Sequence, residues 1–244
     1  TVNLSHYQDN TDNQTALQVY FQEPLDLNGD GNSELNVEQA LHLLVDTLFA
    51  CKNPTACNYE TLSVFNNEDL CHFAEPGYNC EGLPIDIGMA YQGGYVIFYN
   101  ETNHSGLIVS KEDMGGGLAY DWGCYQIQTN ANATEYGTGQ SNTEAILSIM
   151  CPQTSSAANV CNGYEKDGYS DWYLPSKEEL SLIYNHKNQL ENQPGFYPFQ
   201  TGLYWSSSEL INELNRVYVV DFSTQEEEVN VKSTPCYVRA VRSF

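Results

Sequence analysis

The chain has 244 residues, with 9 Lys and Arg against 32 Asp and Glu, so its formal net charge is 9 − 32 = −23. Because nucleic acids and anionic membrane surfaces are polyanions, this charge argues against both as partners. The longest apolar stretch, near residues 41–50, is interrupted by Asp46 and is too short to cross a bilayer. We therefore expect no membrane insertion.

The cysteines and the start of the chain predict an exported protein. Eight cysteines, an even number without a CxxC pair, favour disulfides in an oxidising compartment over a zinc site or free buried thiols. The chain begins at Thr1 without an export leader, so we expect a mature, processed form. The expected location is extracellular or at the cell surface.

Charge and periodicity divide the chain into three predicted regions. Residues 1–110 carry one base against 15 acids, whereas residues 111–244 carry eight bases against 17 acids. Near Cys51, helical periodicity gives way to loops spaced by cysteines. The predicted regions are an N-terminal arm with a strand, a loop and a helix (1–50), a Cys-rich stapled segment (51–90) and a larger domain (91–244).

The first region begins with a strand and ends with an amphipathic helix. Apolar side chains alternate along residues 16–21, which predicts a strand able to add to a neighbouring molecule's sheet, with Leu17, Val19 and Phe21 on its apolar face. Apolar residues then recur at helical spacing in one stripe, made of Leu41, Leu44, Val45, Leu48 and Phe49. An unpaired strand of this kind indicates self-association or contact with other surface proteins.

A calcium site is predicted between these two elements. Asp26, Asn28 and Asp30 place oxygen ligands at alternate positions, with Gly31 next, as in EF-hand and dockerin loops. Position twelve of the loop is not an acid, so the closing ligand is expected to be Glu34 or Glu38. The alternative is an Asx-rich turn that caps the helix without metal.

The sequence patterns of the larger region predict an α+β domain. Strand patterns occupy residues 94–99 and 106–110, and the tail returns to strands at 204–207, 217–222, 228–231 and 237–241. Two helices between them are predicted by Ser-x-x-Glu capping boxes that begin at Ser141 and Ser176. We expect the second helix to bury Leu180, Ile183 and Tyr184. Helices between early and late strands indicate an α+β domain.

Catalytic signals are absent from the sequence. No histidine pair has HExxH spacing, no G-x-S-x-G elbow occurs, and Gly137-Thr-Gly139 lacks the third glycine of a dinucleotide loop. We therefore expect no enzyme activity. Five N-x-S/T sequons are candidate N-glycosylation sites if the source glycosylates: Asn3, Asn13, Asn100, Asn103 and Asn132.

Several motifs follow one another from Gly93 onward, in the segments 93–99, 121–124, 137–139, 142–143, 168–180, 204–209 and 237–242. In these segments the chain resembles the bacterial Lcl C-terminal domain family, named for the C-terminal part of a collagen-like adhesin. The resemblance implies a C-type-lectin-like fold, related to that of formylglycine-generating enzymes. The segment from Cys51 to Tyr59, together with Cys71, resembles a short stapled repeat of secreted bacterial proteins.

The resemblance does not by itself imply a function. The sugar and calcium motifs of C-type lectins are absent, since Gln193-Pro194-Gly195 lacks the required acid, and the paired redox cysteines of the formylglycine enzymes are not evident. We therefore expect Trp172, Leu174 and Trp205 to be core residues.

Four disulfides are predicted. In a looped fold the early and late strands meet, which pairs Cys124 with Cys236, while Cys151 and Cys161 flank a short helical turn and pair locally. Three pairings are open to the first four cysteines. We take Cys51–Cys71 and Cys57–Cys80.

Three functions compete. The preferred hypothesis is a secreted non-catalytic module that serves as a subunit of a cell-surface structure or filament through protein–protein contacts. The alternatives are a glycan-binding adhesin tip and a degenerate enzyme of the formylglycine-generating type.

Overall fold

A computed structural model describes residues 48–152 and 155–244. The chain divides into two compact units, residues 1–73 and Ala74–Phe244, so the division falls inside the predicted Cys-rich segment. The predicted N-terminal strand, the predicted calcium loop and the predicted helix up to residue 47 lie outside the described residues.

The described part of the first unit is small and covalently stapled. Strand β1 (Phe49–Ala50) pairs in parallel with β2 (Phe65–Asn66), and a 3-10 helix follows at Glu68–Leu70. Cys51 and Cys71 form a disulfide, which confirms that predicted pair. The prediction that Phe49 belongs to the apolar stripe of a helix is wrong, because Phe49 lies in β1. Its ring stacks on that of Phe65, with ring centroids 5.2 Å apart.

The second unit contains two antiparallel sheets. The first has the order β3-β4-β5-β9, with β3 at Ala90–Tyr91, β4 at Gly94–Asn100, β5 at Ser105–Ser110 and β9 at Val241–Ser243. The second has the order β6-β7-β8, formed by Leu203–Glu209, Arg216–Asp221 and Glu227–Val231. Strands and helices together confirm the α+β class.

Four helices and a 3-10 turn at Met114–Gly116 connect the described strands of this unit. The helices are α1 (Gly139–Ser148), α2 (Ala157–Asn162), α3 (Lys177–Asn185) and α4 (Lys187–Glu191). The predicted capping box at Ser176 is confirmed, since its side chain accepts from the Glu179 N–H. The box predicted at Ser141 is wrong, because α1 begins two residues earlier and the Ser141 hydroxyl donates to the Thr138 carbonyl.

The core of the second unit fills the space between sheets and helices. Trp172, Leu174 and Trp205 are buried, as predicted, and so are Leu180 and Ile183 of α3. Tyr184 is only half-buried and packs edge-on against Phe222. Burial of side chains of this size contributes about 1.5–3 kcal/mol each, so this core is the main source of stability in the unit.

The chain's last strand is shorter than predicted. Only Val241–Ser243 forms β9, whereas residues 237–240 run irregularly between the two sheets. In this stretch Tyr237 makes a single parallel bridge to Tyr204 of β6. The stretch therefore connects the second sheet to the first.

Two predicted disulfides are wrong, because Cys124 pairs with Cys151 while Cys161 and Cys236 are free and buried. The early and late segments do meet, but Tyr120 exchanges both backbone hydrogen bonds with Cys236, which places Cys124 four residues past the bridge. Cys161 faces the core from α2 and has no exposure.

Cys57 and Cys80 are both disulfide-bonded.

Candidate functional site

A buried ion pair joins the end of β5 to the irregular stretch before β9. Arg239 Nε donates to Asp113 Oδ1 at 2.7 Å, and the Tyr204 hydroxyl donates to the other oxygen at 2.7 Å. The guanidinium carbon lies 4.8 Å from the Phe196 ring centroid and 4.2 Å from that of Phe199. Burial raises the pKa of the Asp113 carboxyl, while Arg239 and Tyr204 oppose the rise. The network is closed to solvent and holds the two sheets together.

A second buried ion pair joins β6 to the turn after β8. Lys232 pairs with Glu209, and both side chains have zero exposure. The Lys232 ammonium donates to the Ile127 carbonyl at 2.7 Å and to that of Cys124 at 3.4 Å, and it lies 4.6 Å from the Trp122 ring centroid. Burial lowers the pKa of Lys232, and Glu209 works in the opposite direction.

The second oxygen of the Glu209 carboxylate binds the loop that also contains Cys124 and Ile127. Glu209 Oε2 accepts from the Thr129 N–H at 2.9 Å, from the Thr129 hydroxyl at 3.0 Å and from Gln128 Nε2 at 2.8 Å. Residues 124–129 are therefore held by both members of the ion pair. The pair acts as an internal clamp on this loop.

A third buried acid organises the turn before α1. Glu179 accepts from the backbone N–H of Ser176 at 2.8 Å and from that of Gly137 at 3.0 Å, and burial raises the pKa of its carboxyl. Gly137 has a left-handed backbone (φ +84°), and a Cβ on Gly139 would lie 2.2 Å from a Glu179 oxygen. This explains the Gly-Thr-Gly segment, which receives a protein carboxylate rather than a phosphate.

A third ion pair, near the end of the chain, is the fourth polar contact of the second unit. Arg242 pairs with Asp171 and donates to Gln92 Oε1 at 2.6 Å, while its guanidinium carbon lies 4.1 Å from the Tyr169 ring centroid. Arg242 is nearly buried, and Asp171 is more than half exposed. This pair fastens the segment before α3 to β9.

These four contacts involve several charged and polar side chains of the segments that carry the family resemblance. Over residues 48–152 and 155–244, every buried side-chain nitrogen and oxygen has a partner. The same residues contain no group of three or more His, Cys, Asp or Glu side chains arranged to hold a metal ion. The contacts of these segments therefore stabilise the fold.

Exposed apolar side chains gather at one set of loops in the second unit. We call this the loop-end surface, and it is defined by Ile127, Ile149, Met150, Ile211, Leu214 and Val231. Met150 is 88% exposed and Ile211 is 66% exposed, so both expose most of their surface to water. Sequence analysis missed this surface, although a signal was present: residues 122–134 and 145–164 contain no charged residue.

Direct contacts hold these loops beside one another. The Cys124–Cys151 disulfide joins the loop that contains Ile127 to the one that contains Met150. Asn215 Oδ1 accepts from the Gln126 N–H at 2.7 Å and so fixes the turn between β6 and β7 to the first loop. Val231 lies opposite Arg216 in the β7–β8 register, next to that turn.

Left-handed backbone conformations are concentrated here. Nine described residues other than glycine have positive φ, and five of them lie in these loops: Cys124, Gln126, Asn130, Met150 and Asn212. Such conformations cost about 1–3 kcal/mol each and persist where surrounding contacts fix them. The disulfide and the Lys232–Glu209 clamp provide those contacts.

Most of the site residues predicted from the sequence lie outside the part of the chain that the structure describes. The calcium ligands Asp26, Asn28, Asp30, Glu34 and Glu38, the strand residues Leu17, Val19 and Phe21, and the sequons at Asn3 and Asn13 lie outside the described residues. Asn103 and Asn132 are exposed and Asn100 is half-buried, and N-glycosylation at these positions stays a prediction.

The fold and its bonds define a disulfide-containing α+β domain of the kind found outside cells. No helix among the described residues is long and apolar enough to cross a membrane. The sequence profile of the Lcl C-terminal domain matches residues 119–242, about half of the chain, and the chain therefore belongs to that family. No curated protein matches the chain.

Proposed function

We propose that this chain is a secreted or cell-surface subunit that acts by contact with other protein molecules and catalyses no reaction. The observation that carries the proposal is the contrast within the second unit. Its buried polar side chains all have hydrogen-bond partners, whereas its loops expose large apolar side chains. Exposed apolar side chains gathered at one place are typical of protein interfaces.

The fold proposal is a C-type-lectin-like domain. Its support is that the first and last strands of the second unit share one sheet, with β9 beside β5, while long irregular segments run between the sheets. The absence of lectin sugar motifs from the sequence favours protein contact over the glycan-binding adhesin, and the lack of evident paired redox cysteines favours it over the degenerate formylglycine-type enzyme.

Two further contacts are proposed in the first fifty residues. The predicted strand at 16–21 would add to a neighbour's sheet through Leu17, Val19 and Phe21. Calcium at Asp26, Asn28 and Asp30, closed by Glu34 or Glu38, would stabilise the region that carries this strand. A ligand at about 100 times its dissociation constant stabilises the folded state by about 2.7 kcal/mol.

Assembly and calcium dependence are tested together on the full chain. We expect electron microscopy and sedimentation to show assemblies with calcium, and we expect Leu17→Asp/Val19→Asp to shorten them. Calcium should raise the melting temperature of the wild type, and Asp30→Ala should remove that rise, whereas Asp69→Ala, an exposed acid elsewhere, should retain it.

A monomeric full chain at high concentration with calcium would contradict the assembly proposal. A glycan screen that then found specific, saturable binding would establish the adhesin alternative instead. A melting curve unaffected by calcium or chelator would remove the calcium proposal alone.

A further inference from the structure

We propose that the loop-end surface of one molecule binds the loop-end surface of a second copy. This inference rests on the proposed function and adds to it a particular surface and a particular occupant. It is independent of the predicted strand at residues 16–21, because all its residues lie in the second unit.

The composition of the surface is that of an interface centre. Met150 and Ile211 are the most exposed large apolar side chains in these loops, and Leu214 is 46% exposed. Interface centres are enriched in apolar residues and Met and depleted of charge. Self-contact would remove these side chains from water at both partners at once, as an isologous interface does.

The distribution of charge favours contact between two copies at this surface over contact at the other surfaces of the molecule. The two uncharged segments 122–134 and 145–164 contribute much of it, and the turn between β6 and β7 adds one exposed acid and one exposed base, Glu213 and Arg216, whose charges sum to zero in a chain whose net charge is −23. Six of the nine basic side chains already form ion pairs within the molecule, so most of the acidic surface has no internal counterion. Two copies therefore repel each other least where their loop ends meet, and salt screens the remaining repulsion.

The loops are organised before binding. Three contacts fix them: the Cys124–Cys151 disulfide, the hydrogen bond from Gln126 to Asn215 and the Lys232–Glu209 clamp. A surface that is already ordered loses less conformational entropy on association.

A cationic partner is the competing occupant, and salt distinguishes the two. Association of two anionic copies through an apolar surface without net charge should strengthen as salt rises, because screening weakens their repulsion. Binding of a cationic partner to an anionic protein should weaken under the same change.

The experiment is sedimentation velocity of the full chain over a range of protein and salt concentrations. Met150→Glu and Ile211→Glu each place a charge on the loop-end surface. Tyr197→Glu is the matched control, since Tyr197 is 62% exposed in the same unit but lies outside this surface. All variants are also made in the Leu17→Asp/Val19→Asp background, which removes the proposed strand contact.

We expect the strand-deficient chain to remain a dimer that tightens with salt. Met150→Glu and Ile211→Glu should each weaken that dimer about tenfold or more, and Tyr197→Glu should leave it unchanged. Circular dichroism and melting temperature check that each variant is folded.

Three results would overturn the inference. If the wild type assembles but both loop-end variants associate as it does, this surface is wrong while the proposed function stands. If Tyr197→Glu weakens the dimer equally, the effect is general charge repulsion. If the wild type is monomeric under all conditions, the assembly function fails together with the inference.

Discussion

The two units of the chain are stabilised in different ways. In the described part of the first unit few side chains are buried, among them Cys51 and Ala56, and the Cys51–Cys71 disulfide closes a loop. The second unit buries three tryptophans and encloses two complete ion pairs. Residues 48–73, where few side chains are buried, thus rely on a covalent bond, whereas the second unit can also bury charge.

The largest effect is expected from breaking the Lys232–Glu209 pair. Lys232→Met leaves a buried carboxylate without its cation, which should lower the free energy of unfolding by about 3–5 kcal/mol. Urea denaturation measures this, and Lys232→Met/Glu209→Gln should recover much of the loss. The control Lys111→Met removes the partly buried partner of the exposed Asp167 and should cost less than about 1 kcal/mol. Equal losses for Lys232→Met and Lys111→Met would contradict the role of the buried pair.

Removal of one disulfide at a time should lower the stability of one unit and leave the other unchanged. Cys51→Ala/Cys71→Ala should remove about 3 kcal/mol and affect the first unit alone, because that bond closes a loop there. Hydrogen exchange should then be fast at residues 48–73 and unchanged beyond them. Cys124→Ala/Cys151→Ala should destabilise the second unit by a similar amount while leaving it folded around its core. The comparison fails if the first unit keeps its protection without its disulfide.

A smaller effect is expected at Gly139. The added Cβ of Gly139→Ala would lie 2.2 Å from Glu179 Oε2, so the turn must shift at a cost of about 1–3 kcal/mol. Gly163→Ala is the control, because its backbone has φ −88° and the nearest atom to a Cβ is 3.3 Å away. Thermal unfolding of both variants measures the difference. A Gly139→Ala protein as stable as Gly163→Ala would show that the close approach does not matter.

The smallest effect concerns pH. Burial raises the pKa of Glu179 above its ordinary 4.5, so its contribution to stability is complete below that value and is lost as pH rises through the raised pKa. Compared with Glu179→Gln, which does not titrate, the wild type should therefore gain stability as pH falls towards 4.5. Urea denaturation of both proteins at several pH values gives this difference. A difference that is constant, or that increases with rising pH, would contradict the assigned sign.

Local patterns predicted much of the second unit. Strands β4, β5 and β7 follow apolar runs in the sequence, β8 follows an alternation of Val with polar residues, and the α3 capping box depends on residues three apart. The Cys124–Cys151 bond could not be predicted in this way, because the choice of partner depends on a register between distant segments. Tyr120, rather than Cys124, lies opposite Cys236.

The candidate surface was harder to predict. Lys232 stands in a polar stretch of sequence, and nothing local shows that it is buried against Trp122 and clamps a distant loop. Ile211 and Met150 are exposed although their residue types favour burial. Both facts depend on tertiary contacts, and only the absence of charge in residues 122–134 and 145–164 was visible in the sequence.

The most direct test of contact as the function is the molar mass of the full chain by light scattering, in calcium, as salt is raised. The prediction is a mass above that of the 27.4 kDa monomer that increases with salt, because apolar contact outweighs a repulsion that salt weakens. A mass that stays at the monomer value over the whole range of protein and salt concentrations would contradict assembly.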